Sequence, residues 1–233
     1  MSAPLTGVDG LDGADPDVGA RTPPTTCPLC GGPAFGWVTL PDPGTRPTVG
    51  MPARVGLVID RCEDCGAGIA RAGGVLDLEA ELERVSERHA DGSLVVRAPN
   101  RASVQASIGG DGWAALADWE GGLLLTPKAL RALAEHTGHR VRRTRFESLG
   151  RNQRWSWQTL VNGLTLHPNF AHEVRAGRLR PSGGRGPVAF AIDCVVTALA
   201  APFVAIVSVP LELIAVALGR GGELSAELED QLR

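Results

Sequence analysis

The stretch Arg61-Cys62-Glu63-Asp64-Cys65-Gly66 decides how this chain is read. A C-x-x-C pair followed by glycine is half of a four-thiolate metal site. The other half stands upstream in Thr26-Cys27-Pro28-Leu29-Cys30-Gly31. Two such pairs about 30 residues apart supply the tetrahedral sulfur set that structural zinc prefers, so Cys27, Cys30, Cys62 and Cys65 are the candidate ligands. The glycine after each second cysteine lets backbone N–H groups approach the sulfurs and spread their charge. Between the pairs, 35–40 (FGWVTL) and 53–60 (ARVGLVID) are short β-branched runs separated by the turn-rich PDPGTRP. Knuckle, hairpin, knuckle is the layout of a zinc ribbon, expected over 23–72. The competing readings are disulfides or a redox pair. The first 20 residues have neither the basic start nor the apolar core of a secretory signal, which argues against a disulfide framework. A closed four-thiolate site holds structure and leaves no position open for catalysis. Cys194 lies in an apolar run and is expected to be a small buried hydrophobe rather than a ligand.

The composition bounds the rest. With 233 residues the chain can form one domain or two small ones, and its net charge of −3 gives no global signal for polyanion binding. The charge is unevenly placed. Residues 139–185 contain ten arginines against only Glu147 and Glu173, whereas the first 20 contain four aspartates and no basic residue. That acidic, Gly- and Pro-rich start predicts a disordered tail over 1–22. Tyrosine is absent, and the abundance of Ala, Gly and Arg suggests a GC-rich bacterial genome rather than a function.

Along the chain, Leu78, Leu82, Val85 and His89 recur at helical spacing and predict a helix over 77–89. Residues 93–98 (SLVVRA) predict a buried strand ending at Pro99, and 100–123 reads as looser, with glycines around Trp113. The next segment carries full helix punctuation: Thr126 as cap, Pro127 in the first turn, Leu130 and Leu133 toward a core, Gly138 at the end. A strand is expected from about 140 to 146. In 155–164, Trp157, Leu160, Val161 and Leu164 fall on one helical face. The most apolar feature is 187–219, with no charged residue for 18 positions between Asp193 and Glu212. That is about the minimum for a bilayer span. Pro202 and Pro210 are expected to kink or break it. The readings are membrane association, spanning or interfacial, and a pair of core helices in a soluble domain. The preceding arginines match a cytoplasmic flank, which places the protein in the cytoplasm at the inner face of the membrane.

The order of these parts resembles the zinc-ribbon class I S-adenosylmethionine-dependent methyltransferases, in their C-terminal half only. The pieces that carry the resemblance are LVVRAPN (94–100), DGWAALADW (111–119), LTPKALRALAEHTGHRV (125–141), TRFES, and the apolar helix with its Gly-Arg-Gly turn in PLELIAVALGRGGEL (210–224). ARAGGVLDL supplies a displaced Gly-Gly. The family's cofactor turn and ribose carboxylate have no counterpart, since only 11 residues separate Cys65 from Asp77. The resemblance implies an α/β fold: a zinc ribbon, an incomplete Rossmann-like layer over 73–150, a basic connecting segment over 151–186, and apolar helices with a tail over 187–233.

The leading expectation is a zinc-binding, truncated methyltransferase-like protein that is non-catalytic and binds a partner near the membrane. That partner would be a full-length methyltransferase or a second copy of the chain. The alternatives are a methyltransferase completed by a second chain or a dimer, and a membrane-associated zinc-ribbon adaptor. The isolated chain is not expected to bind S-adenosylmethionine. Nucleic acid is not an expected partner, because the arginines are not interleaved with a reading element. Catalytic candidates are thin: His167 and His172, with Asn169 and Glu173, form a polar constellation that also reads as a hydrogen-bonded loop. His136 reads as a surface or capping histidine and His139 as the start of a strand.

Overall fold

The computed structural model describes residues 25–41, 55–71, 76–90, 93–119, 122–147, 150–167, 169–175, 177, 179 and 186–231. The expected acidic tail, the PDPGTRP insert after Pro41, the displaced Gly-Gly and the arginines at 178, 180 and 185 lie outside them.

Among the described residues, two antiparallel sheets and six α-helices make a mixed α/β fold. The first sheet has the order β1-β2-β3-β4-β7, from Thr25–Thr26, Pro33–Pro41, Val55–Cys62, Gly68–Ala70 and Leu123–Leu124. Its main hairpin, β2 with β3, pairs Ala34 with Cys62 and Gly36 with Asp60, and a bulge between Gly36 and Val38 shifts the register. The β-branched runs flanking the cysteines form strands, as expected. The second sheet has the order β5-β6-β9-β8, from Ser86–Arg88, Leu94–Pro99, Glu223–Asp230 and His139–Glu147. Each sheet draws strands from distant parts of the chain, β7 in the first and β9 in the second.

The Rossmann-like layer expected from the sequence is not shown by this pairing. In such a layer hydrogen-bonded neighbours run parallel. Here β9 inserts between β6 and β8 and pairs antiparallel with both, so all pairs of named strands are antiparallel. The parallel contact among the described residues is one isolated bridge, Asn100 with Leu125.

Of the helices, α1 (Leu78–Val85) starts at the cap Asp77, whose Oδ1 accepts the N–H groups of Glu79 and Ala80. It ends sooner than its apolar periodicity predicts, because Ser86–Arg88 is drawn into the second sheet as β5. The stretch after Asn100 is more ordered than expected: Ser103 caps α2 (Val104–Gly109). The predicted punctuation of α3 (Pro127–His136) is observed, with Thr126 Oγ1 accepting the Ala129 N–H and Gly138 at φ 73°. Helices α4 (Arg151–Asn162) and α5 (Phe170–Arg175) precede α6 (Gly186–Ala217).

The apolar run is one continuous helix of 32 residues that contains both Pro202 and Pro210, not a broken pair. It is not a core element either, since 6% of its most apolar 18-residue window is buried. Cys194 is accordingly exposed, against the expectation of a buried hydrophobe. The core proper joins the first sheet to the second: Cys27, Cys62, Cys65, Leu82, Val96, Leu125, Leu130, Leu133 and Leu224 pack in one cluster. A second cluster surrounds Trp113 with Val38, Ile59, Leu124 and Trp155.

Candidate metal centre and the anchors of the apolar helix

The two knuckles are built alike from local backbone bonds. Gly31 N–H donates to Cys27 O (2.9 Å) and Cys27 N–H to Gly32 O (2.9 Å); Gly66 N–H donates to Cys62 O (3.1 Å) and Cys62 N–H to Ala67 O (2.9 Å). Gly31 and Gly66 have φ of 72° and 73°, a conformation that favours glycine, so the glycine after each pair closes the turn. The Cys65 N–H approaches the Cys62 sulfur at 3.5 Å.

This brings Cys27, Cys30, Cys62 and Cys65 together, with all four sulfurs within 4.8 Å of one another. Cys27 and Cys65 sulfurs are 3.6 Å apart, Cys30 and Cys62 sulfurs 3.4 Å. Those separations are far beyond a disulfide bond of about 2.05 Å. A tetrahedral ion with bonds of about 2.3 Å sets its sulfurs about 3.8 Å apart, so the cluster has the size and donor chemistry of a closed thiolate metal site. As thiols, Cys27, Cys30 and Cys65 are unequal. The hydrogen bond from Cys65 is the main cause holding Cys27 down to about 5, against burial and with help from the Leu29 and Cys30 backbone. The same bond pushes Cys65 up, and burial adds to it; Cys30 is raised chiefly by burial.

Helix α3 fixes both knuckles. At its start Thr126 Oγ1 donates to Cys65 O (2.6 Å) and Lys128 Nζ to Asp64 O (2.7 Å). At its end His136 Nε2 lies 2.9 Å from Leu29 O. His136 is thus a surface histidine near a helix terminus that ties the helix to the first knuckle, and His139 begins β8 as expected.

The histidine constellation is rearranged. His167 Nδ1 lies 2.6 Å from Asp193 Oδ2, a partner the sequence reading did not name, and Asp193 also accepts the N–H groups of Leu166 (2.7 Å) and His167 (3.1 Å). Asn169 turns to Asn162, whose Nδ2 donates to Asn169 Oδ1 at 2.7 Å. His172 stands half-buried on α5. The cluster is therefore an anchor for α6 rather than an assembled pair of histidines.

A second anchor lies near the other end of α6. Glu212, 1% exposed, accepts four hydrogen bonds: from Gln105 Nε2 (2.8 Å), Asn152 Nδ2 (2.5 Å), Ser156 Oγ (2.6 Å) and the Gly222 N–H (2.9 Å). Between the anchors Trp157 Nε1 donates to Ala201 O (3.2 Å). The expected apolar face of α4 is corrected accordingly. Leu164 is exposed and Trp157 and Leu160 half-buried, while Asn152, Ser156, Thr159 and Asn162 are buried against neighbours with Trp155 and Val161. That polar stripe at helical spacing, and an Asp and a Glu bracketing the uncharged run, were the available signals.

The result is an inside-out helix. The buried residues of α6 are Gly186, Asp193, Ser208, Glu212 and Ala215. Ile192, Leu199, Ile206 and Leu213, seven apart, stand on the exposed side, with Phe203 72% exposed beside them. By length and composition α6 is long and apolar enough to cross a membrane. Compared with known protein families, curated proteins and solved structures, the chain matches none.

Proposed function

We propose that this protein is a non-catalytic zinc-ribbon adaptor that lies on a membrane surface through the outer face of α6. The observation that carries the reading is the inverted helix: its acids and small residues face the protein and its large apolar side chains face outward. A soluble surface helix has the opposite arrangement. A contiguous apolar stripe of this kind marks a lipid or partner surface.

An interfacial placement fits better than a span. Asp193 and Glu212 are 19 positions apart, about 28 Å along a helix, and both are tied to α4 or the loop after it. Spanning would draw α4, with its buried amides and hydroxyls, into hydrocarbon along with the two carboxylates. Lying flat buries only the outward stripe and leaves Arg175, exposed on α5, to meet anionic headgroups. Four thiolates at tetrahedral spacing favour zinc as the metal, with the ribbon as the rigid part of the adaptor.

The methyltransferase-like order is read as a retained scaffold. In support, the Pro-Asn and Gly-Arg-Gly pieces of that order meet: Asn100 Nδ2 donates to Gly221 O (2.8 Å) and Asn100 N–H to Gly222 O (2.8 Å). The chain alone should not bind S-adenosylmethionine in calorimetry; micromolar binding would restore an enzymatic reading.

The test of the main proposal is flotation with lipid vesicles. The wild-type chain should float, and the outward pair Phe203→Glu with Ile206→Glu should not, with both folded by circular dichroism. Those substitutions leave Asp193 and Glu212 untouched, which a deletion of the helix would not. A wild-type chain that stays soluble, monodisperse without detergent and unbound to vesicles would overturn it.

A further inference from the structure

Beside the second knuckle the protein has an open, polar cleft of about 680 Å³ whose charge is unbalanced. Arg61, Arg101, Lys128, Arg131 and Arg220 line it, against two acids, Glu63 and Asp64. The partners of two of these cations are neutral oxygens. Lys128 donates to the Asp64 backbone carbonyl, and Arg220 to Ala102 O (3.3 Å) and Ser107 Oγ (3.0 Å).

Arg101 is the unusual member. It is 8% exposed, and its Nε is buried without a hydrogen-bond partner among the described residues. Its guanidinium stacks over Trp37, with Cζ 4.2 Å from the ring centroid. The backbone holds it there: Arg101 N–H donates to Leu125 O (2.8 Å), next to the Asn100–Leu125 bridge. Burial, with Arg61 adding, lowers its pKa to about 10. A buried guanidinium with a spare donor and like charge nearby is a costly arrangement unless an anion completes it. The cap Thr126 and the first residues of α3, Pro127 and Lys128, line the same cleft and bring the positive end of that helix to it.

We infer that this cleft binds the phosphate group of a phosphate ester, with the Arg101 guanidinium as the fork that receives it and Arg61 and Arg131 flanking. The planar fork matches phosphate oxygens in a way a point charge does not. The volume leaves room for the organic part of the ester. Two sources share this chemistry: a soluble phosphorylated molecule and an anionic phospholipid headgroup. Arg220, which lines the cleft, follows the end of α6 at Ala217 by three residues, so a headgroup is within reach when α6 lies on lipid. The inference does not rest on that membrane reading, since the cleft is complete without lipid.

The test is calorimetric titration of the full, zinc-loaded chain with inorganic pyrophosphate, at a salt concentration of about 0.15 M that screens loose surface pairing. Saturable binding is expected, weakened about tenfold or more by Arg101→Gln, the scale of a charged hydrogen bond. Arg131→Gln, on an exposed side chain whose loss does not threaten folding, should weaken it about threefold. Arg142→Gln, an exposed arginine of β8 outside the cleft, should change nothing. Zinc content measured on every variant separates damage to the cleft from damage to the knuckle. In a second arm, vesicles of phosphatidylcholine with and without phosphatidylglycerol are compared. A phosphatidylglycerol preference lost in Arg101→Gln and Arg131→Gln identifies the headgroup as the source, and pyrophosphate binding without such a preference identifies a soluble ester. The inference fails if neither pyrophosphate nor phosphatidylglycerol shows binding that depends on Arg101 or Arg131, or if Arg142→Gln weakens binding equally.

Discussion

The two knuckles and the seam between α4 and α6 both concentrate groups that resist burial, and they solve the problem differently. Each knuckle gathers its donors within a few residues, Cys27 to Gly32 and Cys62 to Ala67, and leaves only the joining of two identical turns to the tertiary fold. The seam gathers its members from across the chain. Glu212 accepts hydrogen bonds from Gln105, 107 positions away, from Asn152 at 60 and from Ser156 at 56. The first device sets four sulfurs at the spacing of a metal site; the second uses a network of neutral donors around a carboxylate. A local device can be recognised from spacing, whereas a distributed one exists only after the chain has folded.

The largest expected effect separates the two. Cys62→Ala should abolish metal binding, measured as zinc per chain by elemental analysis, because structural zinc sites of this kind contribute about 10–16 kcal/mol of apparent binding energy to folding. Hydrogen exchange should rise over 25–41 and 55–70 and at the start of α3, where Thr126 and Lys128 hold the second knuckle. The anchors of α6 should be nearly unaffected if the seam is an independent device. Equal loosening at Glu212 would show that the two regions are one cooperative unit.

The converse experiment strikes the seam. Glu212→Leu leaves four donors facing an apolar side chain, and each orphaned buried donor costs about 1–3 kcal/mol. With partial relaxation the loss should be about 3–5 kcal/mol in urea unfolding, and zinc content should stay at one per chain. Gly222→Ala should act on the same network, since a Cβ there would stand 2.0 Å from Asn152 Oδ1 and 2.2 Å from Gln105 Nε2. Unchanged stability in either variant would mean that the seam does not hold α6.

How much of this was legible follows the same division. The four cysteines, the hairpin strands beside them and the capped helix from Thr126 could be read because each rests on a local pattern: C-x-x-C-G, β-branched runs, and cap, proline and glycine in order. The end of α1 could not, because Ser86–Arg88 leaves its helical periodicity to pair with Leu94–Val96. Strand β9 was not legible for a like reason: it occupies the slot between β6 and β8 from the far end of the chain. In α4 the apolar face at Trp157, Leu160, Val161 and Leu164 has only Val161 fully buried, while the polar stripe at Asn152, Ser156 and Thr159 turns inward. Hydrophobic pattern is a guide to the inward face only when the helix packs on an apolar surface, and the surface here carries Glu212.

A smaller effect should come from the other end of α6. Asp193→Asn keeps the shape but presents an amide where Leu166 N–H, His167 N–H and His167 Nδ1 approach. One of these contacts must be lost, at a cost of about 1–2 kcal/mol. The variant should unfold earlier in urea and still float with vesicles, since the outward stripe is unaltered. Loss of flotation with retained stability would place the lipid contact at the helix's N-terminal end rather than along its face.

The smallest effect tests Thr126, where the start of α3 meets the second knuckle. Its hydroxyl performs two tasks, accepting the Ala129 N–H as the cap of α3 and donating to Cys65 O on the second knuckle. Thr126→Ser preserves both tasks and should change stability little. Thr126→Ala removes both, and the loss of a helix cap of this kind is about 1 kcal/mol. The loss of the Cys65 contact should appear elsewhere, as faster release of zinc to a chelator, because the carbonyl of a ligand residue no longer has its donor. If Thr126→Ala lowers stability but leaves zinc release unchanged, the helix is merely adjacent to the knuckle. If both change together and Thr126→Ser restores both, the hydroxyl couples the metal centre to the core on which α3 rests.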